Sequence, residues 1–581
     1  MVRWAEAGRG MLAGAWLVLS SVGCAIAPAP EPEGPGGGGT KAEAAASRHM
    51  IVAANPLAAE AGRAILRQGG SAVDAAIAAQ LVLNLVEPQS SGIGGGGFLL
   101  HFEGASGRIE AYDGRETAPA AAEPGLFLDA SGAPLPFLDA AASGLSVGVP
   151  GLLRLLERAH ERHGRMAWER LFEPAIELAE EGFALSPRLH ALLAEEERLQ
   201  RDPEALGLYF DAAGEPLPVG TLIRNPMLAE TFRAIATGGA EAFYSGVLAQ
   251  SVVEAVSAHP ERPGRLALGD LSSYRTILRD PVCGPYRVFI VCGMPPPSSG
   301  GIAVLQILAL LERFPIGQEA PLSPNFAHLF AEAGRLAFAD RGRYLADPDH
   351  VEVPVARLLD PAYLARRSQL IRPDRSLGKA QPGDLLLSRA DPAPRVEPIS
   401  TSHLSVVDDE GNAVALTSSI ESGFGSRIEV GGFLLNNQLT DFSFEPIRDG
   451  VLVANSVAPG KRPLSSMAPT FVLDRDGSLV AVLGSPGGSA IIAYVAQAVI
   501  ALGDWRMPPD EAAALPHLAN RNGPTDLEKN TAAEALAPAL IALGHEVRLS
   551  QMTSGLHIIR IEGGRILGGA DPRREGVALG D

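Results

Sequence analysis

RVEPISTSHLSVVDDEGNAVALTSS, residues 395–419, runs from a loop rich in proline and charge straight into a strand–turn–strand. SHLSVVD and NAVALTSS have strand composition, the intervening DEGN is turn chemistry, and the junction falls at Ser400-Thr401. Two readings fit. One is an ordinary edge hairpin. The other makes Thr401 a nucleophile that becomes an amino terminus. A threonine hydroxyl needs an adjacent base, and a free α-amino group titrating near pH 8 is a base already in place. That chemistry requires a cut at Ser400-Thr401, a strand to hold the new terminus, and a removable linker upstream, here DPAPRVEPIS.

The rest of the chain extends outward from this junction. Its 581 residues are 46% apolar and 20% charged, ample material for a large core. A net charge of −19 with no basic cluster disfavours nucleic acid and anionic lipid surfaces as partners. Arg3 and Arg9 precede the apolar run MLAGAWLVLSSVG, too short to span a membrane and shaped like a signal peptide. Ser21-Val22-Gly23-Cys24 resembles a bacterial lipobox, in which Cys24 would be lipidated, although leucine is usual where Ser21 stands. Cleavage after Ala25-Ile26-Ala27 is the alternative, and either implies export to a bacterial periplasm or envelope. The expected organisation is a signal peptide over 1–24, a flexible tether over 25–46, a large part over 47–400 and a small part over 401–581. Cys283 and Cys292 flank the strand-like PYRVFIV. An oxidising compartment would allow them to pair, but nine residues of one extended strand would hold them too far apart, so isolated thiols fit at least as well.

Strands and helices alternate in a mixed pattern. A short strand and an Ala-rich helix occupy 49–86, strands follow at GFLLHFEG and RIEAYDGRE, mainly helical signals run from Gly151 to about residue 371, and β-rich sequence follows residue 400. Two familiar patterns fail on context. Gly92–Gly97 satisfies G-x-G-x-x-G but is followed by strand-like FLLHF where a dinucleotide site needs a helix. Gly144-Leu145-Ser146-Val147-Gly148 satisfies G-x-S-x-G, yet no strong strand feeds it, so Ser146 stands only as a runner-up nucleophile of an α/β serine hydrolase.

Further pieces support Thr401. PGKRPLSSMAPT offers paired hydroxyls at Ser465 and Ser466, and Gly484–Ser489 offers a turn of bare backbone N–H groups for an oxyanion. With EPQSSGIGGGGF, DGRETAP, MPPPSSGG, EAGRLAFADR, LLNNQLTDFS, GSPGGS and ADPR in this order, the chain from about Ala46 to Pro572 resembles the γ-glutamyltransferase (glutathione hydrolase) family. That family belongs to the amino-terminal-nucleophile hydrolases.

The resemblance implies an α/β, four-layer αββα sandwich formed jointly by large and small subunits cut from one precursor, with no metal or organic cofactor. It implies that Thr401 is both the self-cleaving residue and the nucleophile, with Ser419 placing a hydroxyl beside it. Arg115, Ser465 and Ser466 would hold a substrate α-carboxylate, Asp441 and Gln438 its α-ammonium, and the Gly487 and Gly488 N–H groups the oxyanion. The substrate would be a small γ-glutamyl amide, with water or an amino acid or peptide as acceptor.

Two departures matter. Glu421 stands where many relatives carry Asn, and an ionised Glu only accepts hydrogen bonds and adds charge. It either joins Asp441 in holding an ammonium or marks another acyl group, as in the cephalosporin-acylase-like branch. The segment FSFEPIRDGVLVANSVAPGKRP is shorter than the usual lid and lacks Tyr, opening the site to water. A non-catalytic envelope lipoprotein with the same fold is the remaining alternative.

Overall fold

The structure, a computed structural model, describes residues 41–385, 387 and 400–581. Cys24, the signal-peptide segment and most of the predicted linker lie outside the described residues.

Two seven-stranded antiparallel sheets stack face to face. The first runs, in spatial order, Val577–Gly580, Met50–Ala53, Ser402–Val407, Ala413–Ser419, Gly96–Glu103, Arg108–Gly114 and Ile277–Arg279. The second runs Ala44–Ala46, Arg565–Ala570, His557–Glu562, Leu479–Gly484, Thr470–Leu473, Phe289–Gly293 and Val282–Tyr286. Helices Pro56–Arg67, Ala72–Val86 and Leu152–His163 cover the outer face of the first sheet. Helices Gly300–Leu311, Pro324–Tyr344 and Ile491–Gly503 lie on the side of the second. The result is the expected four-layer αββα order.

Strand alternation explains why the layers close. In Ser402–Val407, Leu404 and Val406 join the core under the first helix layer, while Val407 joins the core between the sheets. Ser402 and Ser418 point to the helix side and reach Glu87 and Gln80, at 2.8 and 2.6 Å. The helix Ala72–Val86 is buried along its whole length and opens on a capping box between Ser71 and Asp74. Gly69-Gly70 breaks the single helix expected in 49–86 into two.

Three further expectations change. The tether predicted over 25–46 is already part of the fold at its end: Ala44–Ala46 pairs with Gly568–Ile566 as an edge strand. Lys41 Nζ, just before it, donates to the carbonyls of Asp571 and Arg574. Second, PYRVFIV is a hairpin, not one strand. The chain reverses at Arg287, whose φ is +55°, and this sets Cys283 directly opposite Cys292. Their Cα atoms are 4.1 Å apart and a disulfide joins them. Third, Gly144–Ser146 is a short 3-10 turn, and the Ser146 hydroxyl donates to the carbonyls of Ala141 and Ser143. That hydroxyl is fully buried and bound to backbone, so the serine-hydrolase elbow does not form.

Candidate active site

Thr401 lies immediately before the strand Ser402–Val407, buried, and its hydroxyl donates to Ser419 Oγ at 3.1 Å. Ser419 ends the neighbouring strand, whose register pairs Ser402 with Ser418, so the two hydroxyls meet one step beyond the last paired residues. Ser419 Oγ also accepts from the Glu421 N–H at 2.9 Å. In the uncut chain Thr401 has φ of +148°, a conformation that strains a β-branched residue by on the order of 1–3 kcal/mol. Cutting the 400–401 bond removes the carbonyl carbon that defines this torsion. The Ser400 hydroxyl is tied to the Gln89 carbonyl at 2.7 Å.

A cavity opens over this junction and is lined by Thr401, Ser419, Arg115, Asp441, Glu421 and Gln438, with Ser465, Ser466 and Gly488 among its other walls. Six stretches far apart in sequence converge here. The glycine run Gly92–Gly97 makes the convergence possible. A Cβ on Gly94 would lie 2.1 Å from the Leu434 carbonyl oxygen, and one on Gly95 would lie 2.2 Å from that of Ser419. These glycines therefore serve close backbone packing, with a strand beginning at Gly96 where a nucleotide site needs a helix.

The cationic end of the cavity is Arg115. Its Nη2 donates to Asp441 Oδ2 at 2.5 Å and to the Leu464 carbonyl at 3.0 Å, and its Nε to the Pro463 carbonyl at 3.2 Å. Gln438 Nε2 donates to the same Asp441 oxygen at 2.8 Å. Ser466 Oγ accepts from Arg341 Nη2 at 2.8 Å, and Ser465 Oγ accepts from the Met467 N–H at 3.2 Å, so each hydroxyl keeps its own proton to donate. Glu421, with φ of +83°, accepts from Asn437 Nδ2 at 2.5 Å. Gly487 and Gly488 have φ of +132° and +56°, values that suit glycine, and they lead through a 3-10 turn into the helix Ile491–Gly503. Gly488 lines the cavity.

Several residues around this site were not singled out from sequence. Glu116, next to Arg115, is fully buried, neither of its oxygens has a hydrogen-bond partner, and burial lifts its carboxyl to about 8 against the pull of Arg115. Arg341 orients Ser466, and Asn437 orients Glu421. The adjacency of Glu116 to Arg115 was the only local signal; the others depend on chain crossings.

His328, Glu332 and His545 are the only potential metal-ligand group among the described residues. Hydrogen bonds already link the two histidines into a chain. The Thr525 hydroxyl serves His545 Nδ1, His545 Nε2 serves His328 Nδ1, and His328 Nε2 serves the Arg372 carbonyl. Glu332 is held by Arg335, Ser376 and the Leu377 N–H.

Stacked sheets between helix layers, with a threonine at the head of a central strand sharing a cavity with a buried arginine, define an amino-terminal-nucleophile hydrolase. The sequence profile of the gamma-glutamyltranspeptidase family matches residues 58–581, and the chain belongs to that family. It is 37% identical over 546 residues to the glutathione hydrolase proenzyme of Bacillus subtilis strain 168, covering 91% of each chain. It is 36% identical over 549 residues to the Acylase ACY 1 proenzyme of Pseudomonas sp. strain V22, covering 93% of this chain and 94% of that one. The crystal structure of cephalosporin acylase from Bacillus halodurans superimposes with a TM-score of 0.83 at 27% identity, over 95% of this chain and 99% of that one.

Proposed function

We propose that the chain is a precursor that cuts itself at Ser400-Thr401 and then cleaves glutathione-like γ-glutamyl amides through an ester on Thr401. The observation that carries this reading is the single cavity containing Thr401, Ser419, Arg115, Asp441, Ser465 and Ser466. After the cut, the Thr401 α-amino group takes the hydroxyl proton and Oγ1 attacks the γ-carbonyl. The Gly487 and Gly488 N–H groups receive the oxyanion. The C–N bond breaks as the leaving amine takes the proton. Water or an amine then attacks the ester, and the Thr401 hydroxyl is restored.

Donor recognition follows from the Arg115–Asp441 ion pair. An amino-acid head group can replace that pair group for group. Its carboxylate takes the place of Asp441 on Arg115 and gains the Ser465 and Ser466 protons, while its ammonium is received by Asp441, Gln438 and Glu421. A buried cation and anion thus keep partners throughout binding, which avoids leaving either charge unpaired.

Thr401→Ala is expected to yield one uncut chain without turnover of γ-glutamyl-anilide; an intact, fully active wild-type chain on denaturing electrophoresis would exclude the mechanism. A related reading, cleavage of glutaryl amides, draws support from Glu421 and from the likeness to acylases. Among the described residues no helix is long and apolar enough to cross a membrane. We assign membrane attachment, on the periplasmic side, to a lipidated Cys24. Cys24→Ser protein should leave the detergent phase that wild type enters, and equal partitioning would refute the anchor.

A further inference from the structure

Cutting the chain before Thr401 leaves the nucleophile on a free end, one residue ahead of its strand. What then holds it is a buried polar cluster on the helix side of the sheet. Arg574 Nη1 donates to the Thr401 carbonyl at 2.9 Å, and its Nε to the Ser554 carbonyl at 3.2 Å. The Ser402 hydroxyl donates to Glu87 Oε2 at 2.8 Å. The other Glu87 oxygen lies 3.7 Å from Arg188 Nε, and the Arg188 backbone N–H donates to Glu575 at 3.2 Å. Lys41 Nζ fastens the turn that carries Arg574 by donating to the Asp571 and Arg574 carbonyls. Glu87, Arg188 and Arg574 are all buried, and none of them lines the substrate cavity.

We infer that Glu87 and Arg574 are positioning residues that fix Thr401 and Ser402 after cleavage, and so matter for turnover and not for the cut itself. This inference rests on the proposed function. Before the cut, covalent bonds on both sides hold Thr401. Afterwards the strand, the Ser419 hydroxyl and this cluster do, and reacting groups displaced by about 1 Å lose up to roughly a hundredfold in rate. The charged groups facing Glu87 are Arg574 and Arg188, with Glu575 opposing them. Burial raises the Glu87 carboxyl to about 7, while Arg574 and the Ser402 hydroxyl pull it down. Loss of the Glu87 charge would loosen Ser402, and the amino terminus with it.

Glu87→Gln and Ser402→Ala test this, with the cut followed by denaturing electrophoresis and turnover by whichever anilide the wild type accepts. The expected result for Glu87→Gln is a wild-type extent of cleavage and a kcat lowered roughly 10- to 100-fold, with KM within about twofold. The acid limb of its kcat–pH profile should also move. Ser402→Ala should lower kcat in the same sense, and the double variant should lose less than the product of the two single losses, because both act on one contact. Cleaved Glu87→Gln with wild-type kcat, a loss confined to KM, or an uncut Glu87→Gln chain would each overturn the inference. Should Glu87→Gln not fold, Ser402→Ala carries the test, and unchanged kcat in it would also overturn the inference. Wild type inactive on both γ-glutamyl and glutaryl anilides would instead sink the functional reading.

Discussion

Glu421 and Asp441 set two carboxylates in one cavity with a single lining guanidinium, Arg115. A zwitterionic γ-glutamyl donor brings an ammonium to the pair. A glutaryl donor brings only a carboxylate, which Arg115, Ser465 and Ser466 would accept equally well. Discrimination must therefore come from the acidic side. Removing one partner of a desolvated charge pair costs about 2–5 kcal/mol. Glu421→Gln is expected to lower γ-glutamyl-anilide turnover sharply while sparing or improving glutaryl-anilide turnover. A donor ratio unchanged by the substitution, or a wild type that already prefers glutaryl, would move the acylase reading ahead.

At the scale of elements, the hairpin Val282–Tyr286 with Phe289–Gly293 closes one edge of the second sheet. An edge hairpin loses strand pairing on one side, and the Cys283–Cys292 disulfide compensates by restricting the unfolded chain. Chain-entropy estimates for a loop of this length give about 2–3 kcal/mol. The Cys283→Ser/Cys292→Ser double variant should unfold at lower urea concentration than wild type with kcat preserved; coincident unfolding curves would show that the bridge adds nothing. The pairing stayed open at the level of sequence because a strand and a tight hairpin share composition. The difference lay in Arg287 adopting a left-handed conformation, for which its residue type carries no preference.

Across the whole molecule, large and small parts interleave. Met50–Ala53 of the large part lies between Val577–Gly580 and Ser402–Val407 of the small part, so the halves of a cut chain would share one sheet. Buried carboxyls in this sandwich give its stability a pH dependence. Glu116 is raised by burial to about 8 in the folded chain, against roughly 4.3 when unfolded. Between these values the folded state holds a proton that the unfolded state has released. Its stabilising contribution is complete below about pH 4.3 and is lost as pH rises through about 8. Gln at this position stays neutral, so the melting temperature of Glu116→Gln relative to wild type should climb from pH 5 to pH 9. A difference that stays flat with pH would mean that Glu116 is ionised in the folded protein.

The reach of the sequence follows the range of the forces involved. Strand alternation in Ser402–Val407 and Ala413–Ser419, the capping box at Ser71, and the need of Thr401 for its own amino group are written in neighbouring residues. They marked out the strand headed by Thr401, and the ordered motifs from Glu87 to Arg573 identified the family and its layered fold. What sequence alone left undetermined are contacts between residues hundreds of positions apart. Ser402 meets Glu87 across 315 positions and Arg574 meets Thr401 across 173, while Arg115 closes on Asp441 across 326. A charged residue declares its charge in the sequence, but not the partner that makes its burial tolerable. Only the stacking of sheets and helix layers, which removes water from between them, decided which charges had to pair, and hence the shape of the cavity over Thr401.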